Sequence, residues 1–425
     1  MERITLNGIK KENNTIQYDF SASSGLSKYF SGNPFVIEYQ EDVTSVPDSI
    51  VAIPFVCNVL PIIWLTDSEL VLDEIDKAFF ECIPEVRKGY ETMFPESTFA
   101  GKIAANEIVN TYVSQTDKCA LMFSGGLDAV SSLVTHLDEQ PDLISVWGSD
   151  IAFDNTDGWN AVYKGIAEYS KRFNLNEITI RSRFRDFDCE DSLNRDFSKQ
   201  LKDGWWHGIK HALALIGHVA PLSYLNGYSR LYIASSNCPA DGIIRIASSP
   251  LTDNHIRFVS CTVVHDGYEN SRQDKVHNVV QFCNNTNNKI SLHVCWESQQ
   301  GGNCCKCEKC YRTMAGILAE GSDPVDYGFL YATETVPLMR DYLIGFKKLK
   351  PDVAQRHWSH VYEGAKENIK TIRKQPYWKY IRWIVKADFS HPETIKPSFR
   401  FRMGERLSAF GFYRFLHRIK VKLKK

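Results

Sequence analysis

Long uninterrupted apolar runs are missing from this chain. The most apolar stretch, residues 50–65, is broken by Pro54 and Pro61. It is shorter than the roughly 20 residues a bilayer span needs, so burial in a core is expected. An excess of charge of one sign is missing too: 50 Lys+Arg against 51 Asp+Glu leave a net charge of −1. This excludes a generic nucleic-acid coat, and any basic surface must be local. Internal repeats and low-complexity tracts are absent. Met1-Glu2-Arg3-Ile4 opens directly into strand-like alternation and not into a leader peptide, so a cytoplasmic location is expected. The 12 cysteines are then expected to be reduced thiols; Cys57, Cys82, Cys119 and Cys261 stand singly in apolar surroundings. Two catalytic signatures are missing as well. No Gly-Lys-Ser/Thr ends a phosphate loop, and Gly208 stands where a zinc protease needs Glu after His207. His207 and His211 share a helix face but are expected to be an ordinary core or surface pair.

What is present centres on Leu121-Met122-Phe123-Ser124-Gly125-Gly126-Leu127-Asp128-Ala129-Val130. Apolar residues run into Ser-Gly-Gly, then an acid, then a helix-period segment with Leu127, Val130, Leu133, Val134 and Leu137 on one face. That pattern predicts a buried strand, a tight turn and a helix start. Glycines there let backbone N–H groups approach an anion, and the helix N-terminus adds its positive dipole. An ordinary strand-turn-helix is the plain alternative.

With 425 residues, 43% hydrophobic and 24% charged, the chain has room for two or three globular domains. Residues 1–110 read as a small α+β module. A hairpin is expected around Asn13-Asn14, a strand at 35–39, and a helix from Ser68 capped by Asp67 or Ser68. Residues 111–322 alternate strand and helix. Strands are expected at 119–123, 143–147, 177–180 and 231–235, and helices at about 159–173 and 206–218. This predicts an α/β fold, a Rossmann-like parallel sheet with helices on both faces. Ligands in such sheets bind at the carboxyl ends of the strands, where Ser124–Gly126, Trp147-Gly148 and Ser235 fall. Residues 237–258 are loop-like, and Asp253 is the pick for a polar contact to substrate. Lys118, Lys210 and Arg245 are candidate cation donors.

A second cluster follows. Cys304, Cys307 and Cys310 have two-residue gaps, and Cys295 lies nine positions upstream. Four thiolates at such spacing can close a tetrahedron about Zn²⁺, a structural zinc knuckle. A disulfide pair and an iron–sulfur cluster are the alternatives. Cys305 is the spare.

The Ser-Gly-Gly-x-Asp stretch resembles the PP-loop of the ATP pyrophosphatase superfamily, whose pattern is Ser-Gly-Gly-x-Asp-Ser after a strand. Together with the four cysteines and Trp296, it looks like a divergent relative of the 7-cyano-7-deazaguanine synthases over residues 116–320. The resemblance implies a HUP-type fold and ATP cleaved between its α and β phosphates. It also implies pyrophosphate leaving into Ser124, Gly125, Gly126 and Leu127, with Ser124 and Asp128 catalytic and Asp128 working with Mg²⁺. Adenine is implied at Val146, Trp147 and Gly148, with Ser235 nearby. Ala129 departs from the family's final Ser, unless Ser131 or Ser132 supplies that hydroxyl.

Three readings follow. The first is an adenylate-forming ligase that activates a small carboxylate or modified purine for attack by a nitrogen nucleophile, which could be a protein amine. The second is an RNA-modifying enzyme, and the third a catalytically weak ATP-binding scaffold. A homo-oligomer is expected. Residues 323–425 read as a helical C-terminal region ending in a basic amphipathic tail, 396–425, suited to RNA or to peripheral membrane contact.

Overall fold

Asn13 and Asn14 turn the chain where the alternation of Ile16, Tyr18 and Phe20 puts a hairpin. β1 (Arg3–Glu12) and β2 (Thr15–Ala22) pair antiparallel around them. Asn13 adopts φ +51°, a left-handed conformation that Asn tolerates. The computed structural model describes residues 1–111, 113, 116–295, 297–298, 302–330, 336 and 338–409, with the backbone alone at 405–409.

The apolar run is helical. α1 (Asp48–Thr66) carries Pro54 and Pro61 inside it, and every residue from Ser49 to Trp64 is buried. Its 19 residues are long and apolar enough to cross a membrane by composition, so shortness does not set it apart from a span. Packing does: 89% of its apolar window is buried inside the fold.

The helix expected from Ser68 is corrected. Residues 69–76 form β4 (Glu69–Asp76), parallel to both β1 and β5 (Lys102–Val109). Leu70 and Leu72 alternate with less buried neighbours, and two partner strands satisfy the backbone on both sides; that pairing overrides the helical spacing. The helix α2 (Lys77–Met93) starts later, capped by Asp76, whose carboxylate accepts from Phe79 N at 3.0 Å. Asp67 instead ends α1 in a left-handed conformation.

The remaining strands are β3 (Phe35–Glu38), β6 (Cys119–Met122), β7 (Asp142–Trp147), β8 (Glu177–Ser182), β9 (Arg230–Ala234), β10 (Arg257–Phe258) and β11 (Cys261–Asp266). One eleven-stranded sheet results, in the order β10-β11-β9-β6-β7-β8-β3-β2-β1-β4-β5. Within it β11, β9, β6, β7 and β8 are mutually parallel. The crossovers after β6, β7 and β8 carry α3 (Leu127–Thr135), α4 (Thr156–Phe173), α5 (Glu190–Leu201), α6 (His211–Gly217) and α7 (Ala220–Asn226). The chain starts at β6, winds outward through β7 and β8, then returns to β6's other side as β9. This makes the β6/β9 boundary the topological switch point, the crevice where open α/β sheets bind ligands.

β3 pairs antiparallel with β8 through Ile37↔Ser182 and Glu38↔Arg181, so the N-terminal strands continue the sheet and cover its edge. The described residues up to Asn270 form one compact unit, and those from Ser271 onward form another. The sequence-based boundaries at 110/111 and 322/323 fall inside these units. The second unit contains α8 (Arg272–Thr286), α9 (Glu308–Ala319), α10 (Ser359–Glu367) and α11 (Phe399–Ala409). Residues 410–425 of the basic tail, and Trp296, lie outside the described residues.

Candidate functional site

The turn after β6 forms as its composition predicts. Gly125 adopts φ +70°, a conformation costly for residues with a Cβ. Ser124 is exposed, and its Oγ accepts from Gly126 N at 3.3 Å. Gly126 caps α3 without a side-chain hydrogen bond. First-turn N–H groups of α3 are therefore not answered by a capping side chain, and they add to the helix dipole at this end. Buried Leu127 anchors the helix, and half-buried Asp128 stands in its first turn. Ser131 and Ser132 are buried, so they do not present a hydroxyl at the surface of the turn in place of the one lost at Ala129.

The end of β7 has an open backbone edge. Phe123 N donates to Ile144 O at 2.8 Å, whereas Leu143 N donates away from β6, to Asn176 O. Strand alternation then directs the N–H and C=O of Val146 toward the side that β6 leaves when it turns at Phe123. Gly148, at φ +110°, has no room for a side chain: a Cβ would lie 1.9 Å from Ser182 O. Trp147 stacks on Trp159 with centroids 5.5 Å apart, and the Arg181 guanidinium covers its ring at 4.3 Å.

Of the three cation candidates, two are held by acidic partners. Lys118 immediately precedes β6 and is exposed at the strand end opposite the turn. Lys210 is 1% exposed and donates to Asp188 and to Phe184 O. Arg245 is held by both oxygens of Glu96 at 2.7–2.8 Å. Cations that sequence reasoning passed over lie at the carboxyl end of β8 instead. Arg181 pairs with Glu38, Arg183 with Asp154, and Arg185 with Glu190. Their alternate spacing in Arg181-Ser182-Arg183-Phe184-Arg185 was the available signal.

Beyond β9 the chain turns on Ser235, whose Oγ donates to Asn237 O at 2.7 Å and whose N donates to Asp266 O. The following loop and the end of β11 enclose a cavity of about 170 Å³, lined by residues including Asn237, Ser248, His265 and Tyr268. Asp253 does not line it. Asp253 is buried behind, accepting from His265 Nδ1 at 2.9 Å and from Ser248 Oγ at 2.7 Å, so it positions two side chains that do. The His207–His211 pair is no metal site: His207 is exposed and bonded to Asp203. Burial lowers His211 to about 4.

In the second unit, Cys295, Cys304, Cys307 and Cys310 come together with their Sγ atoms within 4.8 Å of one another. Tetrahedral Zn–S bonds of about 2.3 Å require S···S separations of roughly 3.8 Å, and Cys304 and Cys310 stand 3.9 Å apart. Backbone N–H groups of Cys307 and Cys310 donate to Sγ of Cys304 and Cys307 at 3.3 and 3.4 Å. Asn303 clamps the loop, accepting from Val294 N and donating to Leu292 O, which holds Cys295 near the knuckle. The hydrogen bond from the Cys310 thiol lowers Cys307 to about 6, and burial raises Cys304 to about 11. Cys305 points elsewhere, its Sγ donating to Asn303 O. All twelve cysteines are free thiols, which removes the disulfide alternative. The four-sulfur group could hold a metal ion. No protein-family model, curated protein or solved structure matches the chain.

Proposed function

We propose that this protein is an ATP-dependent, adenylate-forming enzyme of the PP-loop type, related to the 7-cyano-7-deazaguanine synthases. The observation that carries the reading is the Ser124–Gly126 turn with its uncapped α3 N-terminus, set at the switch point of the parallel sheet. The turn cradles the β and γ phosphates, with Leu127 fixing the helix beneath. The N–H and C=O of Val146 offer the donor and acceptor that an adenine edge needs, and Trp147 and Gly148 shape that end of the pocket. Asp128 holds Mg²⁺, which offsets phosphate charge.

A substrate carboxylate oxygen bonds to the α phosphorus, and the bond to the bridging oxygen breaks, releasing pyrophosphate. A nitrogen nucleophile then attacks the acyl carbon and AMP leaves. Backbone donors aimed at the phosphates supply the electrostatic stabilisation. The cavity of about 170 Å³ suits a small carboxylate or a modified purine, oriented by His265 and Ser248. Zn²⁺ at Cys295, Cys304, Cys307 and Cys310 is structural, because all four positions are thiolates. An iron–sulfur cluster would interpose several atoms and spread the sulfurs further apart.

Isothermal calorimetry tests the cradle. ATP and an α,β-non-hydrolysable analogue are expected to bind with Mg²⁺, and Gly125→Val to abolish binding while circular dichroism stays unchanged. Asp128→Ala is expected to cut pyrophosphate release roughly a hundredfold. Unchanged ATP consumption in that variant would remove the assignment. A second reading, a catalytically weak ATP-binding scaffold, draws support from Ala129 and from the buried Ser131 and Ser132. It predicts ATP binding without pyrophosphate release. RNA as acceptor remains the third reading, checked by salt-sensitive RNA binding that is lost on removing residues 396–425.

A further inference from the structure

The second compact unit contains a cleft of about 530 Å³ lined by Arg340, Arg382, Lys386 and Lys396, with Trp383 in its wall. Its one lining carboxylate, Asp388, accepts from His391 Nδ1 and Ser390 N. Nearby Asp341 is engaged by the N–H and hydroxyl of Ser398 at 2.7 Å each. Among the described residues none of the four cations has a carboxylate within ion-pair distance. Arg340 is anchored through Nε to Lys396 O at 2.8 Å, which leaves its terminal nitrogens for another acceptor. Burial lowers the Arg340 guanidinium, the neighbouring Asp341 carboxylate works against that shift, and Arg402 and Arg382 add like charge. Gathering cations in one concavity without acidic partners is unfavourable until an anion enters.

The same unit also exposes apolar side chains. Among the described residues, seven of the ten exposed large apolar side chains lie between Val325 and Met403. Leu338, two residues before Arg340, is 57% exposed, and Phe399, three residues after Lys396, is 72% exposed. Cations around a phosphate-sized concavity, bordered in sequence by exposed apolar side chains, match the interface of an anionic bilayer.

We propose that this cleft is a headgroup-phosphate site, through which the C-terminal unit docks on membranes containing anionic phospholipids. Arg340, Arg382, Lys386 and Lys396 take the lipid phosphate, and Phe399 and Leu338 contact the acyl boundary.

Co-sedimentation of the full chain with vesicles tests this. Phosphatidylcholine vesicles are compared with vesicles that also contain phosphatidylglycerol. Binding is expected to the mixed vesicles alone and to weaken with salt. Arg382→Glu with Lys386→Glu is expected to weaken it roughly tenfold or more; both side chains are exposed, so folding should be unaffected. Phe399→Ala is expected to weaken it separately, at unchanged salt dependence. Equal binding to both vesicle types, or unchanged binding in the double variant, overturns the proposal. So does binding of glycerol 3-phosphate or RNA by a protein that leaves the vesicles in solution.

Discussion

Single residues carry much of the backbone geometry at the carboxyl ends of β6 and β7. Gly125 and Gly148 both take a positive-φ backbone, and Gly148 also needs empty space beside Ser182 O. Gly148→Ala is therefore expected to cost about 2–3 kcal/mol, read as a lower midpoint in urea unfolding. His218 is fully buried between Ala214 O and the Ser182 hydroxyl, and burial lowers it to about 4. The unfolded chain takes up this proton near 6.5 and the folded chain only near 4. Stability should thus fall as pH drops from about 6.5 toward 4, because the unfolded state binds more protons in that window. His218→Gln is expected to flatten the slope of unfolding free energy against pH there.

At the scale of elements, the four-sulfur group of Cys295, Cys304, Cys307 and Cys310 could hold a metal ion, which makes the proposed knuckle testable. Cys307→Ser is expected to lose the metal and to destabilise the unit containing α9, whereas Cys305→Ser keeps one metal per chain. Elemental analysis of the purified variants checks both, and equal loss in the two would dissolve the assignment of Cys305 as the spare. α1 and α6 pack closely because Gly217 has no side chain: a Cβ would lie 2.7 Å from the Cβ of Cys57. Gly217→Ala is expected to cost roughly 1–3 kcal/mol through overpacking, measured by denaturant unfolding. β4 shows the opposite kind of control. Its helical-looking spacing gave way because β1 and β5 lie on either side, information that no local window contains.

For the whole molecule, some of the architecture was legible along the chain and some was not. Strand-helix alternation from Cys119 to Ala234 was readable because each element has its own period and its own turn residues. The knuckle spacing and the Ser-Gly-Gly turn were readable because short-range geometry depends only on neighbours in sequence. Other features required distant segments to meet. The join of β3 to β8 turned an expected separate module into part of one sheet. Asp253 moved behind its cavity because His265, on β11, claims its carboxylate. Lys210 and Arg245 were drawn away by Asp188 and Glu96, and four basic residues spread over residues 340–396 came to share one cleft. The sequence by itself determined where backbone turns, helix starts and thiol spacings fall, since these rest on local sterics and hydrogen bonding. Only the tertiary structure decided which strand edges are covered, which charges are neutralised and which are left facing a cavity, because burial and ion pairing depend on residues far apart in the chain.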